Sequence, residues 1–537
     1  MAGDDIIRIM PRRFALLLLA LSACFGADFV GNKACGACHA AIYRSYLKTP
    51  MAQSSGKVSA QNQHETFDHA EFRDNRGAFS YKVAPDYRVE FSQQGATQPI
   101  AGARALSYFI GSGAAARTFL IDDGGFLFES PATYYRQSAS WKASPGFESV
   151  DYPYLTRPVV PGCLQCHASG IQPDGQTLNG YAMAPFLENG VACERCHGPG
   201  SDHVANGAPM ANPAKLAPAA RDSICAQCHL SGEVRVAKPG KDNSAFAPGS
   251  LLADDLTVFV RAGSPSDLRV TSHVENLAQS ACKRASAEKL WCGTCHDPHT
   301  APEPAQKAAY YRAKCLSCHQ TQDCRAAKEV RSANGDSCTA CHMPRGPASD
   351  IQHVVFTDHS IRRKPAASSV PSPTAKLEPY PSYTATTRDL ALAYAEVALR
   401  DRNGADRDRA FPLLKQAAED GTADAAALAY LAEFYRDAKD DAHALPLYQQ
   451  IWRMDKSQYA AAAALGAYQM QRGNLADAIQ YWRDALKLNP AMVLVRVNLA
   501  NALLRTGNPA EARAQLERAL QFNPASVDAR ALLSRIQ

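Results

Sequence analysis

Cysteine and histidine recur in one fixed pattern, in which Cys-x-x-Cys is followed at once by His. The pattern occurs seven times, at Cys35, Cys38, His39; Cys163, Cys166, His167; Cys193, Cys196, His197; Cys225, Cys228, His229; Cys292, Cys295, His296; Cys315, Cys318, His319; and Cys338, Cys341, His342. Two thiols at this spacing form thioethers with the vinyl groups of a haem, and the adjacent imidazole becomes the proximal iron ligand. The sequence therefore predicts seven covalently attached haems c. Below, the motifs are numbered 1 to 7 in chain order.

Zinc is the main alternative, because Cys-x-x-Cys is also half of a structural zinc site. Such a site has no need of His directly after the second Cys. With 15 His among 537 residues, chance would supply that His only about three times in a hundred. Every Cys-x-x-Cys of this chain has it, so haem attachment is strongly favoured over zinc binding or thiol redox chemistry.

A haem iron has two axial positions, and each motif fills one of them. Seven further His precede the C-terminal region and are candidate distal ligands: His64, His69, His203, His273, His299, His353 and His359. The equal numbers allow every iron to have two His ligands, as in low-potential electron carriers. His299 follows His296 by three residues, too few to reach around a porphyrin, so we expect it to serve a neighbouring haem. The same argument applies to His203 after His197. His443 is predicted to be a surface residue.

The N-terminus predicts export. Arg8, Arg12 and Arg13 precede an apolar run over residues 14–21, as in a signal peptide. The run ends at Leu-Ser-Ala-Cys24, which resembles a lipoprotein cleavage site; ordinary cleavage nearby is the alternative. We predict a signal peptide over residues 1–23 and a lipid on Cys24, with the chain in the periplasm or at the outer membrane of a bacterium. A net charge of +5 indicates no nucleic-acid partner.

Two cysteines downstream of the signal peptide stand outside the motifs, Cys282 and Cys324. In an oxidising compartment they could form a disulfide near the last motifs, or remain two free thiols. The spacing does not decide between these alternatives.

Motif spacing predicts how the first region is built. Motifs 2, 3 and 4 begin 30 and 32 residues apart, and motifs 5, 6 and 7 begin 23 residues apart. So few residues for each haem cannot form an ordinary apolar core, so the porphyrins must supply it. We predict a mainly α, loop-rich, haem-packed domain over residues 24–360. A small β insertion is expected between motifs 1 and 2, where short aromatic runs alternate with Gly and Asp. A linker rich in Pro, Ala and Ser is predicted over residues 361–386.

The C-terminal region has a 34-residue period. Three sets of equivalent residues show it: Leu431, Leu465, Leu499 and Leu533; Ala444, Ala478 and Ala512; and Pro490 and Pro524. This period resembles the tetratricopeptide repeat, whose helix pairs stack into an α-solenoid. We predict a repeat domain over residues 387–537, with repeats at 389–422, 423–456, 457–490 and 491–524 and a closing helix over 525–537.

The motifs carry a further resemblance. Residues 191–203 (Val-Ala-Cys-Glu-Arg-Cys-His-Gly-Pro-Gly-Ser-Asp-His), residues 292–299 and the His353-x5-His359 pair resemble exported multihaem cytochromes related to the tetrahaem electron acceptor of hydroxylamine oxidoreductase. The resemblance implies that His203 and His299 are distal ligands. The Cys-x-x-Cys-Lys motif of the pentahaem nitrite reductases is missing from the chain.

Two functions follow from this pattern. The first is electron transfer through closely packed, largely bis-His haems, with the repeats docking redox partner proteins. The second is an oxidoreductase of small nitrogen or sulfur compounds, which needs one haem with an open axial position. The sequence names no catalytic residue, and electron transfer is the favoured hypothesis.

Overall fold

A computed structural model describes residues 28–74, 77–93, 95, 100–147, 155, 157–242, 246–263, 268–363 and 372–536. The predicted signal peptide and the predicted lipid site at Cys24 lie outside these residues. About 44% of the structure is helical. Within the described part of the chain, no helix is both long enough and apolar enough to cross a bilayer.

Short helices form the motif region, and several of them contain motif residues. Their bounds are α1 Asn32–Cys38, α2 Ala40–Tyr46, α3 Pro161–Leu164, α4 Glu194–His197, α5 Ser201–Asn206, α6 Pro218–His229, α7 His273–Ala278, α8 Ala281–Ala285, α9 Cys292–Cys295, α10 Lys307–Leu316, α11 Lys328–Ala333 and α12 Cys338–His342. Motif 1 shows why this geometry suits attachment, because the His39 N–H donates to the Cys35 carbonyl over 2.9 Å. One helical turn thus brings both thiols and the imidazole to the same side of the backbone.

Nine strands lie in the described residues between motifs 1 and 2. They are β1 Ser55–Lys57, β2 Glu71–Arg73, β3 Phe79–Val83, β4 Arg88–Gln93, β5 Ile100–Ala105, β6 Tyr108–Ile110, β7 Ala116–Asp123, β8 Phe126–Tyr135 and β9 Ser140–Ala143. They form two antiparallel sheets, in the orders β1-β6-β7-β8-β9 and β2-β3-β4-β5. Phe79, Tyr81, Phe119 and Trp141 are buried in one core shared by the two sheets. We call these nine strands the β insertion.

The prediction of a small β insertion is wrong in extent. The sequence analysis rested on short aromatic runs, and these correspond to strands in the middle of each sheet. Strand β5 has the sequence Ile-Ala-Gly-Ala-Arg-Ala at a sheet edge, and only Ile100 is buried there. A strand with so little alternation of apolar and polar residues gives no period-2 signal.

The remaining strands are short and form three small sheets. They are β10 Ser169–Pro173, β11 Tyr181–Glu188, β12 Val234–Ala237, β13 Leu256–Arg261, β14 Arg345–Pro347, β15 Val355–Thr357 and β16 Leu377–Pro379. Strand β16 pairs with β13, which also pairs with β12. Part of the predicted linker is therefore a strand in the same sheet as β12 and β13 of the motif region. This sheet connects the motif region to the C-terminal region.

Nine helices follow, of which the first eight form four antiparallel pairs and the ninth closes the series. They are α13 Thr387–Asp401, α14 Gly404–Glu419, α15 Ala425–Asp437, α16 Asp441–Met454, α17 Tyr459–Gln471, α18 Leu475–Leu488, α19 Val493–Arg505, α20 Pro509–Phe522 and α21 Val527–Ser534. The equivalent alanines of the 34-residue period, Ala444, Ala478 and Ala512, are fully buried between paired helices. We call these nine helices the repeat array.

The repeat array contacts the rest of the chain at both ends. At its start, α13 packs on β12 and β16, and a buried ion pair joins Arg261 to Asp406 over 2.7 Å. Near its end, Phe522 lies in the core of the β insertion, where its ring centroid is 5.8 Å from that of Phe128. The Leu178 N–H also donates to the Leu488 carbonyl over 2.9 Å.

Candidate functional site

The motif thiols approach one another in pairs. Side-chain interactions between thiols join Cys35 to Cys193, Cys166 to Cys228, Cys225 to Cys292, and Cys315 to Cys338. Each pair comes from two different motifs, so motif 1 lies beside motif 3, motif 2 beside motif 4, motif 4 beside motif 5, and motif 6 beside motif 7. These pairs place the seven motifs in three groups: motifs 1 and 3, motifs 2, 4 and 5, and motifs 6 and 7.

Three motif imidazoles each lie opposite a second imidazole, nearly parallel to it in two pairs and tilted in the third. The ring centroids are 6.3 Å apart for His39 and His203, with an interplanar angle of 16°. They are 6.0 Å apart at 14° for His197 and His299, and 6.2 Å apart at 33° for His296 and His359.

These separations fit a metal held between the two rings. A His nitrogen binds a metal at roughly 2.0–2.1 Å, so two imidazoles on opposite sides of one iron place their centroids about 6.4 Å apart. Ligands at tetrahedral angles around zinc would bring the centroids closer, to about 5.2 Å. The geometry fits bis-His iron better than zinc.

The hydrogen bonds of these rings also suit ligation. Nδ1 donates to a backbone carbonyl at His197 (to Ala211, 2.8 Å), at His203 (to Ala208, 2.8 Å) and at His359 (to Thr357, 2.9 Å). His342 likewise donates to Arg362 over 2.9 Å. A donating Nδ1 fixes the tautomer and leaves the Nε2 lone pair free for a metal.

Burial keeps several imidazoles neutral. Together with the nearby His359 and His167, it lowers the pKa of His229 to about 4. It also lowers the pKa of His296 to about 4 and that of His273 to about 3, again with help from neighbouring imidazoles. A neutral imidazole is the form that binds iron, so the residues present fit haem c.

His273 occupies a crowded position. Its ring centroid is 4.9 Å from that of His229 and 4.7 Å from that of His359, with steep interplanar angles of 86° and 70°. Three imidazoles thus meet at motif 4, and neither distance matches two rings on opposite sides of one iron.

The other three distal candidates lie with the β insertion. His353 is near Tyr135 and Lys142, with a ring-centroid separation of 5.1 Å from Tyr135. His64 and His69 flank Glu65, which is buried among strands of the β insertion. Among the described residues, no ring contact joins any of these three to a motif imidazole. In the part of the chain that the structure describes, no ring contact joins His167, His319 or His342, the imidazoles of motifs 2, 6 and 7, to another imidazole.

Motif 3 contains two residues whose importance the sequence analysis missed. Glu194, 5% exposed, accepts hydrogen bonds over 2.8 Å from the N–H groups of Val30, Gly31 and Gly200. Its carboxylate therefore fixes the start of motif 1 against motif 3.

Arg195 reaches in the other direction. Its guanidinium donates to the Gln227 side chain of motif 4 over 2.6 Å and to the Gln165 carbonyl of motif 2 over 3.3 Å. A signal for both residues was present, because motif 3 is the only motif with charged residues between its cysteines.

Both of the remaining described cysteines, Cys282 and Cys324, are free thiols in this structure. The alternative of a disulfide between them is therefore not seen. Cys282 lies near the motif thiols of Cys295 and Cys315, and Cys324 is exposed.

Three sequence families match segments of the chain. Residues 137–198, which include motifs 2 and 3, match the family described as cytochrome c554 and c-prime. Residues 285–323, with motifs 5 and 6, match the doubled CXXCH motif, and residues 469–536 match the tetratricopeptide repeat. These matches support a multihaem cytochrome with tetratricopeptide repeats. The cytochrome c matches suggest haem-binding electron transfer, and the repeats suggest interaction with other proteins.

The comparison with curated proteins gives no match. Among solved structures, MamA is 18% identical with a TM-score of 0.23, over 26% of this chain and 80% of that one. YrrB, described as a TPR protein with an unusual peptide-binding site, is 15% identical with a TM-score of 0.23, over 27% of this chain and 73% of that one. At such low TM-scores these likenesses carry no argument.

Proposed function

We propose that this chain is an exported heptahaem c-type cytochrome that transfers electrons through a series of closely packed haems. The observation that carries the proposal is the set of three His–His pairs, two nearly parallel and one tilted, with centroids 6.0 to 6.3 Å apart. Saturated bis-His irons exchange single electrons and bind no substrate, which is the chemistry of a carrier. The export signal and the lipid on Cys24 belong to the same proposal, because haem is attached outside the bacterial cytoplasm.

The paired rings assign ligands between motifs. We assign His203 to the haem of motif 1, His299 to that of motif 3 and His359 to that of motif 5. His203 and His299 each follow one motif and stack on the imidazole of another, which agrees with the argument from their short spacing. Each of these side chains thus holds two attachment sites at a fixed separation.

The thiol pairs support a continuous route. Motif 1 adjoins motif 3, and His299 links motif 3 to motif 5. Motif 5 adjoins motif 4, which adjoins motif 2. The Cys295 and Cys318 thiols also interact, which brings motif 6 beside motif 5. The pairings form a branched arrangement, in which motif 5 lies beside motifs 3, 4 and 6 and motif 6 lies beside motif 7. Motifs 1, 2 and 7 are therefore its ends, and each has an exposed cysteine, Cys38, Cys163 and Cys341. We propose that electrons enter and leave at these ends, with redox partner proteins held by the repeat array.

The proposal is tested by mass spectrometry and low-temperature EPR of the protein secreted by a host that attaches haem c. We expect the mass of seven haems and mainly low-spin ferric signals. Replacing His203→Ala should convert one low-spin haem to high-spin, because its iron loses an axial ligand. The matched control His443→Ala changes an exposed repeat residue and should leave the spectrum unchanged. An unaltered spectrum in His203→Ala contradicts the ligand assignment.

A second candidate function is oxidoreduction of a small nitrogen or sulfur compound. It is favoured by the motif imidazoles His167, His319 and His342, which stack on no second imidazole within the described residues. A high-spin ferric signal in the wild-type protein that shifts when nitrite, hydroxylamine or sulfite is added would support this function over the carrier.

A further inference from the structure

Motif 3 places two opposite charges on consecutive residues, and they point to different neighbours. Glu194 bonds to the backbone of the segment before motif 1, whereas Arg195 bonds to residues of motifs 2 and 4. None of the other six motifs has a charged residue between its cysteines. These two adjacent side chains thus contact different neighbours of motif 3: Glu194 contacts the segment before motif 1, and Arg195 contacts motifs 2 and 4.

The negative side chains lie beside motif 1. Glu194 is joined there by Glu188, whose Oε1 accepts from the Asn32 N–H over 3.0 Å. The Glu194 carboxylate accepts from the N–H groups of Val30 and Gly31, just before motif 1, over 2.8 Å. Two carboxylates therefore lie at the start of the motif 1 attachment site.

The positive side chains lie beside motifs 2 and 4. Arg195 is joined there by Arg235, which donates to the Gln227 carbonyl over 3.0 Å. Two cations therefore lie beside the attachment sites of motifs 2 and 4, as two carboxylates lie beside that of motif 1.

We propose that Glu194 and Arg195 set a difference in reduction potential between a haem at motif 1 and haems at motifs 2 and 4. Motif 3 contains both residues, so their effects oppose each other there. A fixed carboxylate would stabilise the oxidised, more positive iron, and a fixed guanidinium would stabilise the reduced iron. An electron would therefore move favourably from motif 1 to motifs 2 and 4, with one iron oxidised by one electron, the other reduced by one, and no bond or proton transferred. The inference rests on the proposed carrier function and adds a direction to it.

The test is spectroelectrochemical titration of the holoprotein and its variants. Glu194→Gln keeps the shape of the side chain and removes its charge, so the potential of the haem at motif 1 should rise. Arg195→Gln should lower those at motifs 2 and 4. A His203→Met background identifies the haem of motif 1, because a thioether ligand raises its potential strongly.

Charge-conserving variants separate electrostatics from positioning. Glu194→Asp and Arg195→Lys keep the charges while disturbing the hydrogen bonds, so we expect potentials close to wild type. Arg44→Gln, the control, removes an exposed cation just after motif 1, and solvent screening should leave the potentials nearly unchanged.

The outcomes distinguish this inference from the proposed function. Opposite shifts in Glu194→Gln and Arg195→Gln support the inference. Shifts of both variants in the same direction would overturn the inference. Shifts in the charge-conserving variants equal to those in Glu194→Gln and Arg195→Gln would also overturn it. In either case, seven titrating haems would still support the proposed carrier function. A wild-type protein without redox-active haem overturns the carrier itself.

Discussion

The segment with motifs 5 to 7 and the repeat array are built in opposite ways. Helices α9, α10, α11 and α12 contain no buried residue, although they carry three motifs. Helix α13 alone buries nine residues. Protein contacts give the motif segment almost no core, so its order depends on covalently bound haem, whereas the repeat array has its own apolar core. One chain therefore contains a region that needs its cofactor to fold and a region that does not.

The strongest test of this comparison is to produce the chain without haem attachment. We expect residues 303–343 to lose hydrogen-exchange protection completely, because few buried contacts remain to keep this segment folded. Residues 387–534 should keep strong protection, since their core is apolar protein. Hydrogen exchange followed by mass spectrometry measures both segments in one sample. Equal loss of protection in the two segments would contradict the comparison.

The core of the repeat array should be sensitive to truncation. Trp482 is 1% exposed, and its indole N–H donates to the Ala463 carbonyl over 3.1 Å. Trp482→Ala should lower the free energy of unfolding by about 4 kcal/mol. Leu494→Ala, at a site 65% exposed, is the control and should change it by less than about 0.5 kcal/mol. Chemical denaturation followed by far-UV circular dichroism measures both, and the haem spectrum should not change.

The junction between the two regions can be broken at one ion pair. Arg261 and Asp406 are both nearly inaccessible to solvent, so Asp406→Ala leaves a buried guanidinium without its partner. We expect a loss of about 3 kcal/mol in unfolding free energy. The exposed pair of Arg407 and Asp437 is the matched control, and Asp437→Ala should cost about 0.5 kcal/mol. A similar loss in both variants would mean that the junction is not a stabilising contact.

The smallest effect concerns pH. Burial raises the pKa of Asp389, but Lys238, the Thr386 N–H and Arg388 lower it more, so the net shift is downward. A carboxyl whose pKa is depressed by folding stabilises the protein above its unfolded value of about 4, and the stabilisation is lost as the pH falls through the folded value. Asp389→Asn should therefore flatten the decline in stability below about pH 4. If the stability of Asp389→Asn declines as steeply as that of the wild type, other carboxyl groups cause the decline.

The local patterns were readable from the sequence, and the long-range contacts were not. The 34-residue step predicted the helix pairs because each repeat contacts its nearest neighbours in sequence. The stacking of His203 on His39 joins positions 164 residues apart, and no local pattern reports which motif a distant His will meet. Strand β16 was interpreted as linker because a three-residue strand within a Pro-rich segment has no periodicity to detect.

Because the repeat array contacts the rest of the chain at both ends, its number of repeats is fixed. A solenoid that is free at one end can gain or lose a unit with little consequence, since each unit contacts only its neighbours. Here one more unit between α16 and α17 would displace Phe522 from the aromatic cluster of the β insertion while α13 stayed on its sheet. The number of units in this chain is therefore determined by the distance between the two places where the repeat array contacts the rest of the chain.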